Sequence, residues 1–183
     1  MTRLILVRHG EAAAGFSADT DPGLSAIGHE QAETAARTIA DDLARRPILV
    51  SPLKRCRETA QPLEQRWGVV ATVDPAVGEV ASPTDDLAAR GAWLRTLMQS
   101  AWHDVAPELQ AWRQSVIDRL LAVEADTVVV SHFIAINAAV GHATGNQRVV
   151  CFRPDNCSRT ILEARDGALH VVELGGEATT AVR

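Results

Sequence analysis

Short apolar runs are the feature of this sequence that most restricts its fold. Three of them, at residues 3–8, 47–51 and 127–131, read RLILVR, PILVS and TVVVS. Runs of this length, rich in branched aliphatic residues and without polar alternation, are typical of strands buried on both faces. A mainly parallel sheet with helices on each side is the arrangement that buries both faces of a strand.

Helical patterns separate these runs. Apolar residues recur at helical spacing up to residue 43 after Ser25, which we expect to cap the first helix. Ser51 is expected to cap a second helix, with Pro52 at its first position, that runs to about Trp67. Further helices are predicted at residues 84–98, from 107 onwards and at 134–143, and a third short strand at 69–73.

Strands that alternate with helices indicate an α/β fold. Two late strands, 159–164 and 169–174, flank a turn signal and predict a hairpin that adds an antiparallel edge to the sheet. We therefore expect a three-layer sandwich with helices on both faces of a mainly parallel sheet, forming one domain over residues 1–183. Within it, residues 78–107 are predicted to form a lid or insert, and residues 175–183 a loose tail.

Composition narrows the class of function. The net charge of −5 and the pI of about 5.6 argue against a nucleic-acid binder, which normally presents a basic face. The three cysteines lack CxxC spacing, so neither a zinc site nor a disulfide framework is expected. The apolar stretch at the N-terminus is too short for a signal peptide or a membrane span. We expect a cytoplasmic protein that uses no cofactor and no metal and does not bind membranes.

Polar residues follow three of the predicted strands: Arg8-His9-Gly10, Ser51 and Ser131-His132. Ligands of such sheets bind at the carboxyl ends of the strands, so we expect the two histidines and Arg8 to converge there, with Arg55 close by. A lone histidine is more often structural, but here Gly10 indicates a close approach of the backbone. A cationic pocket with two imidazoles suits a phosphoryl group, whose charge is spread over three oxygens during transfer.

These motifs resemble those of the histidine phosphatase superfamily, the phosphoglycerate mutase-like proteins. The similarity spans nearly the whole chain and rests on Arg8-His9-Gly10-Glu11, Leu24-Ser25 with Gly28 and Gln31-Ala32, Ser51-Pro52-Leu53-Lys54-Arg55-Cys56 with Thr59-Ala60, Ser131-His132, and Asn156-Cys157-Ser158.

The resemblance implies a role for each residue of the phosphate site. His9 would be the nucleophile that becomes phosphorylated. Arg8 and Arg55 would hold the phosphoryl oxygens. His132 would contact the phosphoryl group and stabilise charge in the transition state, and the loop at Gly10 would border the substrate.

A carboxylate would protonate the leaving oxygen. Members of this type carry it after the third strand, where this chain has Glu79. Asp85 and Asp86 are the alternatives. For these two, a position in the first turn of the next helix is the competing interpretation, since negative charge is favourable there.

Two departures from the family pattern concern the substrate. Phe133 follows the second histidine, where many members have glycine, and Ser17 is the nearest replacement for a polar residue that commonly follows the first motif. Phe133 and two tryptophans of the insert, Trp93 and Trp102, predict an apolar pocket mouth that favours bulky or aromatic monoesters. A core position of these three rings is the alternative.

We therefore expect a metal-independent phosphatase that hydrolyses a phosphomonoester of a small molecule through a phosphohistidine on His9. One alternative is a phosphoglycerate or phosphosugar mutase, although the mutases carry more chain between the second and fourth strands. Another is a non-catalytic module of the same fold that binds phospholigands. A phosphohistidine protein phosphatase is a third, although such members tend to lack the insert that contains Glu79. The sequence leaves the substrate and the oligomeric state open.

Overall fold

The computed structural model describes residues 1–15 and 18–177. Within these residues the chain forms six strands, five α-helices and one short 3-10 helix. Their order is β1 (Thr2–Arg8), α1 (Ala26–Asp42), β2 (Ile48–Val50), α2 (Lys54–Trp67), β3 (Thr72–Val73), the 3-10 helix (Pro75–Val77), α3 (Leu87–Gln99), α4 (Pro107–Leu121), β4 (Thr127–Ser131), α5 (Phe133–Thr144), β5 (Arg159–Arg165) and β6 (Ala168–Glu173).

The six strands form one sheet in the order β3-β2-β4-β1-β5-β6. Neighbouring strands among β1 to β4 are parallel, whereas β5 is antiparallel to both β1 and β6. The predicted α/β fold with an antiparallel edge is confirmed. Arg8 lies opposite Ser131 in the register of β1 and β4, so the sequence motifs that follow these two strands meet at one edge of the sheet.

Both faces of the central strands are buried, as their unbroken apolar runs predict. Leu4 and Leu6 of β1 pack on one face of the sheet with residues of α4 and α5. Ile5 and Val7 pack on the opposite face with residues of α1 and α2. The two half-cores fix β1 between helical layers and thereby fix the position of the residues at its carboxyl end.

Helices α2 and α3 begin later than predicted, whereas the predicted cap of α1 is present. Ser25 does cap α1, since its hydroxyl accepts a hydrogen bond from the Gly28 amide at 3.0 Å. Ser51 does not cap α2, which begins at Lys54 after a cap position without a side-chain hydrogen bond. Helix α3 begins at Leu87 rather than at residue 84, because the Asp86 carboxylate accepts the Ala89 amide hydrogen at 2.7 Å and caps the helix there.

Residues 78–107 contain α3 and pack against α5. Leu97 and Trp102 of this segment share a core cluster with Phe133 and Ile134 of α5. The lid function expected for the segment stays a prediction.

The start of the expected tail is hydrogen-bonded to the loop before β5. The Gly176 carbonyl accepts from the Asp155 amide at 2.8 Å, and the Glu177 carboxylate accepts from the Arg153 amide at 3.0 Å. Residues 178–183 lie outside the described part of the chain. None of the helices that the structure describes combines the length and the apolar character needed to cross a membrane.

Candidate active site

The carboxyl ends of β1, β2 and β4 bring the two histidines together. The His9 amide donates to the Ser131 carbonyl at 3.0 Å, which ties the residue after β1 to the end of β4. The centroids of the His9 and His132 rings are 5.2 Å apart. Ser17, the polar residue expected near them, lies outside the described residues.

A cleft opens beside His9. Five of the residues expected at the site line it: Arg8, His9, Arg55, Glu79 and Phe133. The other lining residues are Ala12, Ala14, Asp19, Thr20, Pro22, Leu94, Met98 and Ile134. Trp102 is 2% exposed and lies in the core, and Trp93 packs against the same core cluster, so the tryptophans take the core position that was the alternative to a place at the mouth.

The hydrogen bonds of His9 define its tautomer. Nδ1 lies 2.7 Å from the Gly10 carbonyl oxygen, which can only accept, so Nδ1 carries the proton. Nε2 accepts from Nε of Arg55 at 3.2 Å and therefore presents a lone pair. Burial lowers the pKa of His9 well below 6.5, and the charges of Arg55 and Arg8 lower it further. At neutral pH His9 is thus an uncharged imidazole with Nε2 available as a nucleophile.

Two glycines allow the loop after β1 to pack against α1. A Cβ atom at Gly10 would lie 2.6 Å from the Gly28 carbonyl oxygen, and one at Gly28 would lie 2.1 Å from the Glu11 carbonyl oxygen. The exposed Glu11 carboxylate accepts from the Ser25 hydroxyl at 2.8 Å and so orients the loop. The Gly10 amide donates to the Thr59 hydroxyl at 3.0 Å, which fixes the carbonyl that orients His9.

The two arginines are held from different sides of the cleft. Arg8 donates through Nη1 to the Pro154 carbonyl at 2.9 Å, and its guanidinium carbon lies 5.2 Å from the centroid of the Phe133 ring. The nearest carboxylate that pairs with Arg55 is Asp21, at 3.9 Å from Nη1. Two buried guanidiniums whose charges both act on His9 give the cleft a local positive charge in an acidic protein, a charge that suits an anion.

His132 is fully buried and hydrogen-bonded through both ring nitrogens. Arg55 lacks an acceptor, so its Nη2 donates to Nδ1 of His132 at 3.2 Å. Nε2 of His132 therefore carries the proton and donates to the Ser51 hydroxyl at 2.6 Å. Burial lowers the pKa of His132 well below 6.5, with His9 and Arg55 as further causes, so this ring is also neutral.

Glu79 is the candidate acid that lies in the cleft with His9. Its carboxylate oxygens accept from the amides of Val80 at 3.0 Å and Ile134 at 3.2 Å. Burial raises the pKa of Glu79 despite these two hydrogen bonds, which favours the protonated acid at higher pH than in an exposed glutamate. Of the two alternatives, Asp86 caps α3, and Asp85 lines an adjoining groove together with Arg90.

Several residues at the site were missed or misassigned from the sequence. Ser51 was identified as a polar residue at a strand end but was given only the role of a helix cap, and Asp21 was not singled out. Leu94 and Met98, which line the cleft, were not singled out either, although their spacing of four residues within a predicted helix was a signal that both lie on one face. Among the described residues, no group of three or more histidine, cysteine, aspartate or glutamate side chains could hold a metal ion.

Comparison with known proteins places this geometry in a family. The uncharacterized protein Rv0525 of Mycobacterium tuberculosis is 29% identical over 169 residues, which cover 80% of each chain. The structure of phosphoserine phosphatase from Entamoeba histolytica, in complex with 3-phosphoglyceric acid, has a TM-score of 0.74 at 22% identity and covers 96% of this chain and 98% of its own. A putative α-ribazole-5'-P phosphatase from Escherichia coli has a TM-score of 0.74 at 21% identity, covering 99% of this chain and 100% of its own.

The native structure of mycobacterial glucosyl-3-phosphoglycerate phosphatase is similar as well, with a TM-score of 0.71 at 23% identity over 97% of this chain and 100% of its own. At these identities the structural matches show a shared fold. The family itself is shown by the sequence, because residues 4–176 match the model of the histidine phosphatase superfamily, branch 1. The chain belongs to the histidine phosphatase superfamily.

Proposed function

We propose that this protein is a phosphatase that hydrolyses a phosphomonoester through a phosphohistidine formed on His9. One observation carries the proposal: Nε2 of a neutral His9 presents its lone pair beside two guanidiniums, in a cleft that also holds Glu79. A nucleophile, a cationic oxygen-binding site and an acid are the groups that phosphoryl transfer requires.

In the first step the phosphoryl oxygens accept hydrogen bonds from Arg8 and Arg55. Nε2 of His9 attacks phosphorus, and the bond from phosphorus to the ester oxygen breaks. The proton of Glu79 passes to that oxygen, which leaves as an alcohol. As Arg55 turns its N–H groups to the phosphoryl oxygens, Nδ1 of His132 is released. The anionic phosphoryl group favours uptake of a proton from solvent at Nδ1, and the resulting N–H donates to a phosphoryl oxygen.

In the second step the Glu79 carboxylate takes a proton from water. The oxygen of that water attacks phosphorus, and the bond from phosphorus to His9 breaks. Inorganic phosphate leaves, and Glu79 is protonated again for the next turnover. The charge of the transferring group is balanced throughout by the two guanidiniums, so the proposed reaction requires no metal ion.

The solved structures of similar fold support a small phosphorylated molecule as substrate. They include a phosphoserine phosphatase in complex with 3-phosphoglyceric acid and a glucosyl-3-phosphoglycerate phosphatase. The identity of the substrate is not carried over from these proteins, because their sequence identities to this chain are 22% and 23%.

The decisive experiment traps the phosphoenzyme. The protein is mixed with a 32P-labelled monoester, quenched in alkaline detergent and mapped by proteolysis. We expect an acid-labile, base-stable label on His9, and we expect no label and no turnover in His9→Ala. His103→Ala is the matched control, since His103 is exposed and does not line the cleft. Label on Cys56 or on a serine would overturn the assignment, and transfer of the label from bisphosphoglycerate to an acceptor rather than to water would indicate a mutase.

A further inference from the structure

The cleft beside His9 has an apolar wall that the phosphoryl chemistry does not use. Leu94 and Met98 of α3 lie on one side of it, and Phe133 and Ile134 at the start of α5 lie next to them. We call these four residues the apolar wall. The wall begins at the phosphate site itself, because Phe133 contacts the Arg8 guanidinium.

The apolar wall is a built surface rather than a set of loose side chains. Leu94 and Met98 are four residues apart and therefore share one face of α3. Both are partly buried against the core cluster that contains Phe133, Ile134 and Trp102. Phe133 and Ile134 are themselves buried, so Leu94 and Met98 offer most of the accessible surface of the apolar wall. An apolar group placed against these two side chains would meet a surface that the core cluster already supports.

The charges that line the cleft disfavour a second anionic group on the substrate. Among the described residues that line the cleft, the cations are Arg8 and Arg55, and in the proposed reaction the phosphoryl group engages both. The carboxylate of the exposed Asp19 lines the same cleft and repels anions. Arg90 lines the adjoining groove, where Asp85 accompanies it.

We propose that the apolar wall binds an uncharged alkyl or aryl leaving group of the phosphomonoester, in preference to groups that carry a carboxylate or a second phosphate. This inference rests on the proposed function and narrows its substrate class. The binding contribution is hydrophobic and falls on the part of the substrate that leaves as the alcohol.

Alkylphosphonates test the inference without turnover, because their carbon–phosphorus bond is not hydrolysed. Calorimetry with ethyl-, butyl- and hexylphosphonate should show Kd falling about fourfold per added CH₂, or about fifteenfold from ethyl to butyl. The corresponding alkyl phosphates should show a similar rise in kcat/KM, since their alcohols differ little in acidity. Phosphoserine should be a poorer substrate than butyl phosphate.

Variants of α3 assign the effect to the apolar wall. Leu94→Ser and Met98→Ser should flatten the dependence of Kd on chain length, whereas Arg95→Ser, on an exposed position of the same helix, should leave it unchanged. Met98→Arg should raise kcat/KM for phosphoserine relative to butyl phosphate. Melting temperatures check that each variant is folded.

A Kd that does not change with chain length in the parent, or a parent preference for phosphoserine, would overturn the inference. Failure of the proposed function would give a different result. Ethyl and aryl phosphates would then not be hydrolysed at all, while the Kd values of the phosphonate series would still measure binding to the apolar wall.

Discussion

Replacing Ser51 by alanine tests whether His132 acts through its orientation. Ser51 is fully buried, and its hydroxyl is the acceptor for Nε2–H of His132 at 2.6 Å. The next group beside Nε2 is the Cys56 sulfur at 3.3 Å, which is a weak acceptor. Burial raises the pKa of the Cys56 thiol, so no thiolate is available to replace the hydroxyl.

The expected size of the effect follows from the loss of a buried partner. A buried donor without an acceptor costs about 1–3 kcal/mol. The lost hydrogen bond is expected to weaken the contact of His132 with the transferring phosphoryl group by this amount. The rate constant kcat should then fall about 5- to 150-fold, at 1.36 kcal/mol for each factor of ten. KM should change little, because Arg8 still binds the phosphoryl oxygens in the ground state.

Ser131→Ala is the matched control for Ser51→Ala. Ser131 is 2% exposed and is the last residue of the buried strand β4. Its hydroxyl donates to the Val77 carbonyl at 2.7 Å, whereas the Ser51 hydroxyl accepts from a histidine. Both variants should lose about 1–3 kcal/mol in the free energy of unfolding, measured with urea. Only Ser51→Ala should lose kcat in a phosphate-release assay. Equal kcat losses in the two variants, or an unchanged kcat in Ser51→Ala, would refute the reasoning.

Three further predictions concern the acid, the nucleophile and the metal. Glu79→Gln should lower kcat about 10²–10⁴-fold for alkyl phosphates and far less for aryl phosphates, whose leaving groups depart without a proton; equal losses would favour a structural role for Glu79. Because burial and Arg55 lower the pKa of His9, kcat/KM for the dianionic form of the substrate should stay level as the pH falls through 6.5 and decline only below that value; a decline of this corrected kcat/KM centred at or above 6.5 would contradict a neutral, buried His9. Dialysis against a chelator should leave kcat unchanged, since two guanidiniums balance the phosphoryl charge, whereas a loss that zinc or magnesium restores would refute the proposed mechanism.

The sheet and the meeting point of the histidines could be predicted because they depend on local patterns. A strand whose successive residues are all apolar exposes no apolar surface only when both of its faces are buried. Residues 127–131 form such a strand, β4, as predicted. Parallel strands then place their carboxyl ends at one edge. The register that sets Arg8 opposite Ser131 is a property of the folded sheet that the two apolar runs alone do not fix.

The role of Ser51 could not be predicted because its partner is distant in sequence. A serine followed by proline after a strand is a common way to begin a helix, and that local preference predicts a cap. His132 lies 81 residues further along the chain, and the hydrogen bond between them forms only when β2 and β4 pair. The Ser51 hydroxyl accepts from His132 and also, at 3.3 Å, from the Leu53 amide, while Leu53 takes the cap position of α2 without a side-chain hydrogen bond of its own.

The orientation of α3 is a second property that could not be predicted from the sequence, because this helix has apolar residues on more than one face. Helix α3 and the residues after it offer Trp93, Leu94, Met98 and Trp102 as candidates for the cleft. A long-range contact decides which of these side chains line the cleft. The Trp102 amide donates to the Gln147 carbonyl at 2.7 Å, and the indole lies in the core beside Val149. With Trp102 fixed there, Leu94 and Met98 line the cleft. The proposed role of the apolar wall thus makes leaving-group selectivity depend on the packing of α3 against the segment after α5. Val149→Ala should therefore change the ratio of kcat/KM between butyl phosphate and ethyl phosphate, although Val149 does not line the cleft.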